Sequence, residues 1–92
     1  MVNKNIIRVR KRLDILDIKL LEIIKKRKKL VDIVIQNKRF KKDIVDKSRI
    51  SIILRNIKTK SKKKKIDPLI TERIWKSMIK AFIDYEFRNF KR

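Results

Sequence analysis

The chain has 92 residues, 30 Lys and Arg against 10 Asp and Glu, a formal net charge of +20, one Pro, and no Gly, Cys or His. Without Cys or His there is no disulfide framework, no zinc site and no Cys- or His-based catalysis, so an enzyme of this composition works through Arg, Lys, Glu, Asp or Ser. The lack of Gly and the single Pro68 exclude a turn-rich β protein and favour long helices joined by short connections.

From Ile6 to Arg39 the apolar residues recur three and four apart. Ile6, Leu13, Leu20 and Val34 form one row, and Val9, Leu16, Ile23, Ile24, Leu30 and Val31 the alternating one. That period predicts an amphipathic helix ending near Arg39–Phe40, with no Gly or Pro to break it. Such a helix runs on the order of 50 Å at ~1.5 Å per residue, whereas a globule of this size is roughly 25–30 Å across. A second copy of the chain is therefore expected to cover the apolar side.

Three cations interrupt these rows: Arg27 on the first, Arg10 and Lys38 at the ends of the second. A buried cation without an anionic partner costs several kcal/mol, so a carboxylate or a ligand is expected to meet them. The plainer alternatives are an acidic residue of a neighbouring helix, or side chains that reach back to the surface. Arg27 and Lys38 are nearly a whole number of turns apart and are expected to project the same way. Fixed cations facing one cavity make a receptor for a small dianion.

Lys41, Lys42 and Asp43 read as a short polar connection. Asp46 is the expected N-cap of a second helix, whose apolar face is Ile50, Ile53, Leu54 and Ile57 and which ends near Lys58. The Lys-rich block from Lys58 to Lys65 repels itself and is expected to be a solvated loop. Asp67 and Pro68 open a third helix, with Pro at the first helical position, where its missing amide costs nothing. Ile70, Ile74, Trp75, Met78, Ile79, Phe82, Ile83, Phe87 and Phe90 carry the period onward. Glu86 lies on the stripe of Trp75, Ile79, Phe82 and Phe90, an acid on an apolar face placed to meet the first-helix cations. The expected architecture is all-α and long–short–long, a single domain over residues 1–92.

The charge invites a nucleic-acid or membrane-surface reading. Twenty lysines and eighteen isoleucines weaken it. Both residues have A/T-rich codons, and mutational bias enriches them without selection for a partner. The N-terminus has no apolar core of signal-peptide length, and no segment is long and uncharged enough to span a bilayer, so a cytoplasmic protein is expected.

The ordered set of residues resembles a known family. Arg10, Asp17, Leu20-Leu21, Arg27, Leu30-Val31 and Lys38 are spaced as in the first helix of the small all-helical chorismate mutases. Asp46 and Arg49, followed by Ile53-Leu54-Arg55, resemble the start of their second helix. Ile74-Trp75, Met78-Ile79, Phe82-Ile83 and Glu86 resemble their third. The resemblance implies an intertwined homodimer with two equivalent sites, and conversion of chorismate to prephenate in aromatic amino-acid biosynthesis. The residue matching Arg10 reaches into the partner's site, and those matching Arg27 and Lys38 bind the substrate carboxylates, with Lys38 also on the ether oxygen. Asp46 and Arg49 match positions lining the site near the ring hydroxyl and a carboxylate. Glu86 matches a Gln, or in some members a Glu, that hydrogen-bonds the ether oxygen.

The chemistry is compatible with this composition: a pericyclic rearrangement of one substrate needs no nucleophile, metal or cofactor. It needs a dicarboxylate held in its compact conformer and stabilisation of charge growing on the ether oxygen. Two positions depart from the family. Ile50 stands where a Glu usually binds the substrate hydroxyl, and Phe82 where a small residue such as Ser is common. Both features occur in the related isochorismate pyruvate lyases, so that reaction is the alternative on the same scaffold. A non-catalytic basic helical dimer that binds nucleic acid is the alternative from another class.

Overall fold

The computed structural model describes residues 3–91. Helix α1 spans Lys4–Asn37, a single 3-10 turn spans Lys41–Asp43, α2 spans Lys47–Lys63 and α3 spans Pro68–Asn89. Among the described residues there is no strand. The chain divides into two compact units, one up to Leu30 and one from Val31 onward.

In the first unit the apolar rows of α1 face outward. Ile6 is 47% exposed, Leu13 51% and Leu20 53%, and Val9, Leu16 and Ile23 are similarly open. Helix propensity explains why this segment is helical, since Lys, Arg, Leu and Glu are good helix formers.

The second unit is built on α2 packed against α3, with the last turns of α1 beside them. Its buried apolar residues are Ile35 from α1, Ile44 from the connection and Ile79 from α3. Tyr85 on α3 donates to Asp32 Oδ1 at 2.6 Å, joining α3 to the end of α1. Both expected caps are formed. Asp46 accepts from the Arg49 amide at 2.9 Å, and Asp67 accepts from the Leu69 amide at 2.9 Å.

Two expectations need correction. The Lys58–Lys65 block is not a solvated loop: α2 continues through it to Lys63. Lys is a good helix former, like-charge pairs on a helix cost only a few tenths of a kcal/mol each, and cations suit a helix C-terminus. The block also holds a packed residue, Ser61, which is 4% exposed. Its hydroxyl lies 2.6 Å from the Ile57 carbonyl and 2.8 Å from Thr71 Oγ1, which ties α2 to α3. Past Lys63 the chain reverses by a Schellman closure, with the Ile66 amide donating to Ser61 O and the Lys65 amide to Lys62 O. The second correction concerns Lys38. Helix α1 ends at Asn37, so Lys38 lies one residue beyond it and helical phase does not aim its side chain.

Candidate functional site

The connection from Lys38 to Asp46 gathers the polar chemistry of the second unit. The Lys38 amide donates to Ile35 O at 3.2 Å, a tightened last turn that anchors the backbone of Lys38 beneath a buried Ile. The chain then turns through Lys41–Asp43, held by Asp43 N donating to Phe40 O at 3.0 Å and Ile44 N donating to Lys41 O at 3.1 Å. Ile44 is 3% exposed, so an apolar plug fixes the end of this turn in the core.

The Lys38 ammonium folds back over that turn. Its Nζ donates to the Ile44 carbonyl at 3.2 Å and to Glu86 Oε1 at 3.3 Å. Glu86 is buried on α3, and Lys38 is half-buried. The acid on the apolar face of the third helix thus meets a cation from the end of the first, as expected from the sequence. This bond is also the plain interhelical ion pair that the sequence left open as an alternative. An ammonium has three N–H donors, and these two acceptors engage two of them.

Four other candidates lie in the same unit. Phe82 is one turn before Glu86 on α3, half-buried, with its ring edge-on to Tyr85 at 6.5 Å between centroids. Asp46 lies two residues beyond Ile44, and its carboxylate caps α2 at the amide of Arg49. Both are exposed, while Ile50 beside them is half-buried on the α2 face. Arg10 and Arg27 belong to the first unit, where Arg10 is exposed and Arg27 half-buried. A separate hollow of about 380 Å³ is lined by Asp32, Gln36, Tyr85 and Asn89 among others, and by none of these candidates.

The Ile44 carbonyl was not legible in the sequence. A backbone acceptor leaves no mark in residue identity; its one trace is an apolar residue within a polar connection. Among the described residues no His, Cys, Asp or Glu cluster is gathered as a metal ion requires, and no helix is long and apolar enough to cross a membrane.

The fold is thus an all-helical scaffold that fixes a cation from the connection after α1 against an acid on α3, with arginines on the long first helix. A family model for chorismate mutase type II matches residues 9–87, and the chain belongs to that family. No curated protein and no solved structure gives a match.

Proposed function

We propose that this chain is a chorismate mutase, an isomerase that converts chorismate to prephenate, and that residues 1–92 work as one domain within an intertwined homodimer in the cytoplasm. The observation that carries the reading is the Lys38 ammonium, held between Glu86 and the Ile44 carbonyl with a donor to spare. In the rearrangement the bond to the ether oxygen breaks as a carbon–carbon bond forms, and negative charge grows on that oxygen. A positioned ammonium stabilises this charge more in the transition state than in the bound substrate, which is the condition for raising kcat.

In this reading Arg27 and Arg10, the latter from the other subunit, hold the two carboxylates, for which planar guanidinium forks suit better than ammonium groups. Lys38 and Glu86 act at the ether oxygen. Asp46, Arg49, Ile50 and Phe82 line the ring. Cofactors play no part, because bonds break and form within one molecule. A second reading, isochorismate pyruvate lyase, is favoured by one observation: the half-buried residue following Arg49 is the apolar Ile50, which offers a ring hydroxyl no acceptor.

Turnover of purified protein on chorismate and on isochorismate tests both. Prephenate formation with chorismate preferred supports the mutase. Preference for isochorismate with release of pyruvate selects the lyase. No turnover of either, together with strongly salt-dependent binding to a DNA duplex, would establish a basic helical binder instead.

A further inference from the structure

We infer that the Ile44 carbonyl is a positioning group for Lys38, presented by the Lys41–Asp43 turn so that the ammonium keeps one donor aimed away from the protein. The inference rests on the reading that Lys38 stabilises charge on the ether oxygen.

A lysine side chain has many rotamers, and a catalytic ammonium left to swing among them surrenders much of its effect. Here it is pinned at both ends. Its backbone amide is bonded to Ile35 O, and its Nζ is bonded to Ile44 O at 3.2 Å. The carbonyl is itself immobile, because the Ile44 side chain is 3% exposed and its amide is bonded to Lys41 O. The connection between the first two helices is thereby a closed ring whose last link is the Lys38 side chain.

The chemistry of the acceptor matters. Glu86 holds Lys38 with a full negative charge, which cancels much of the field an oxyanion would feel. A carbonyl holds it with a dipole and leaves that field nearly intact. If Glu86 turns to hydrogen-bond the ether oxygen, its contact with Lys38 is given up, and Ile44 is the acceptor that stays. Glu86 is therefore the exchangeable partner and Ile44 the fixed one.

The test replaces one atom. Val45 is exchanged for its α-hydroxy analogue in a full-length chain assembled by chemical ligation, turning the Ile44–Val45 amide into an ester whose carbonyl is a poorer acceptor. Two readouts are taken. In the absence of substrate, the 15N–1H signal of the Lys38 ammonium, assigned by its loss in Lys38→Arg, should be resolved in the parent and broadened away in the ester. On chorismate, kcat should fall about tenfold, equivalent to about 1.4 kcal/mol, the scale of one hydrogen bond, with KM within twofold. Far-ultraviolet helicity should be unchanged. An ammonium signal as sharp as the parent's with kcat within twofold overturns the inference, as does a rate loss that only tracks lost helicity. A parent chain that turns over no chorismate defeats the functional reading alone. The ammonium signal then decides whether the carbonyl positions Lys38.

Discussion

Lys38 and Glu86 are bonded to each other, which changes what truncating either one does. The sequence leaves either a carboxylate or a ligand as the partner of Lys38, and a ligand alone would let Lys38→Ala abolish turnover and spare the fold. With Glu86 buried at 7% and accepting from Lys38, that truncation leaves a carboxylate in an apolar setting. Removing one partner of a buried ion pair costs about 3–5 kcal/mol. Lys38→Ala should therefore lose both turnover and about that much stability, whereas the double variant Lys38→Ala/Glu86→Ala should recover part of the stability and none of the activity. Denaturant unfolding of the two singles and the double gives the coupling energy, and a coupling near zero would show the contact to be incidental. Glu86 carries a second prediction. The role assigned to it at the ether oxygen is that of a hydrogen-bond donor, which the amide of Gln can fill and Ala cannot. Glu86→Gln should therefore keep turnover on chorismate, and Glu86→Ala should lose it. Equal loss of kcat in both variants would leave Glu86 only as the ion-pair partner of Lys38.

At the scale of elements, what the sequence made legible was whatever follows from period and capping. The three helices, the Asp46 and Asp67 caps and the apolar face of α2 all arise from local rules, and all are present. The failure came where a local rule met a tertiary one. Charge repulsion argued that the Lys58–Lys65 block should open, but Ser61 turns inward to Thr71 and the helix persists. A serine amid lysines gives no hint of burial until the helical face of Ile50, Ile53, Leu54 and Ile57 is extended by one further turn, which lands on Ser61. The reversal after that turn has a residue the chain's composition makes costly. Lys65 takes a positive φ of 59°, in the position where such closures normally place Gly, and this chain has none. The left-handed region costs a residue with a Cβ about 1–2 kcal/mol. Lys65→Gly should therefore raise unfolding stability by about 1 kcal/mol, less than the full strain because Gly also gains freedom in the unfolded chain. Chemical denaturation measures it, and a destabilised Gly variant would mean that the Lys65 side chain contributes more than its backbone costs.

For the whole molecule, the largest unexplained quantity is apolar surface on α1. Ile18 and Leu21 are 65% and 64% exposed, besides the outward rows already described. Burying one aliphatic side chain of this size is worth about 1.5–3 kcal/mol, so covering even part of this helix outweighs the marginal stability of a 92-residue domain. A second copy supplies a matching surface, because a two-fold contact pairs the same patch with itself. The expected result is a dimer at low micromolar concentration by sedimentation, with helicity lost on dilution as the dimer dissociates; a compact helical monomer would defeat it. The site makes a sharper demand. If Arg10 serves the partner's site while Arg27 serves its own chain's, each single variant, Arg10→Ala or Arg27→Ala, damages both sites of its homodimer. Co-refolding the two variants distributes the lesions differently. In a heterodimer one site receives Arg10 and Arg27 both intact, and the other receives both substitutions. Random pairing makes about half the dimers mixed, each with one good site, so activity should return to about a quarter of the wild-type level from two nearly inactive preparations. Heterodimers verified by differential tagging yet showing no recovered turnover would mean that Arg10 and Arg27 act within one chain, and the crossed arrangement would have to be abandoned.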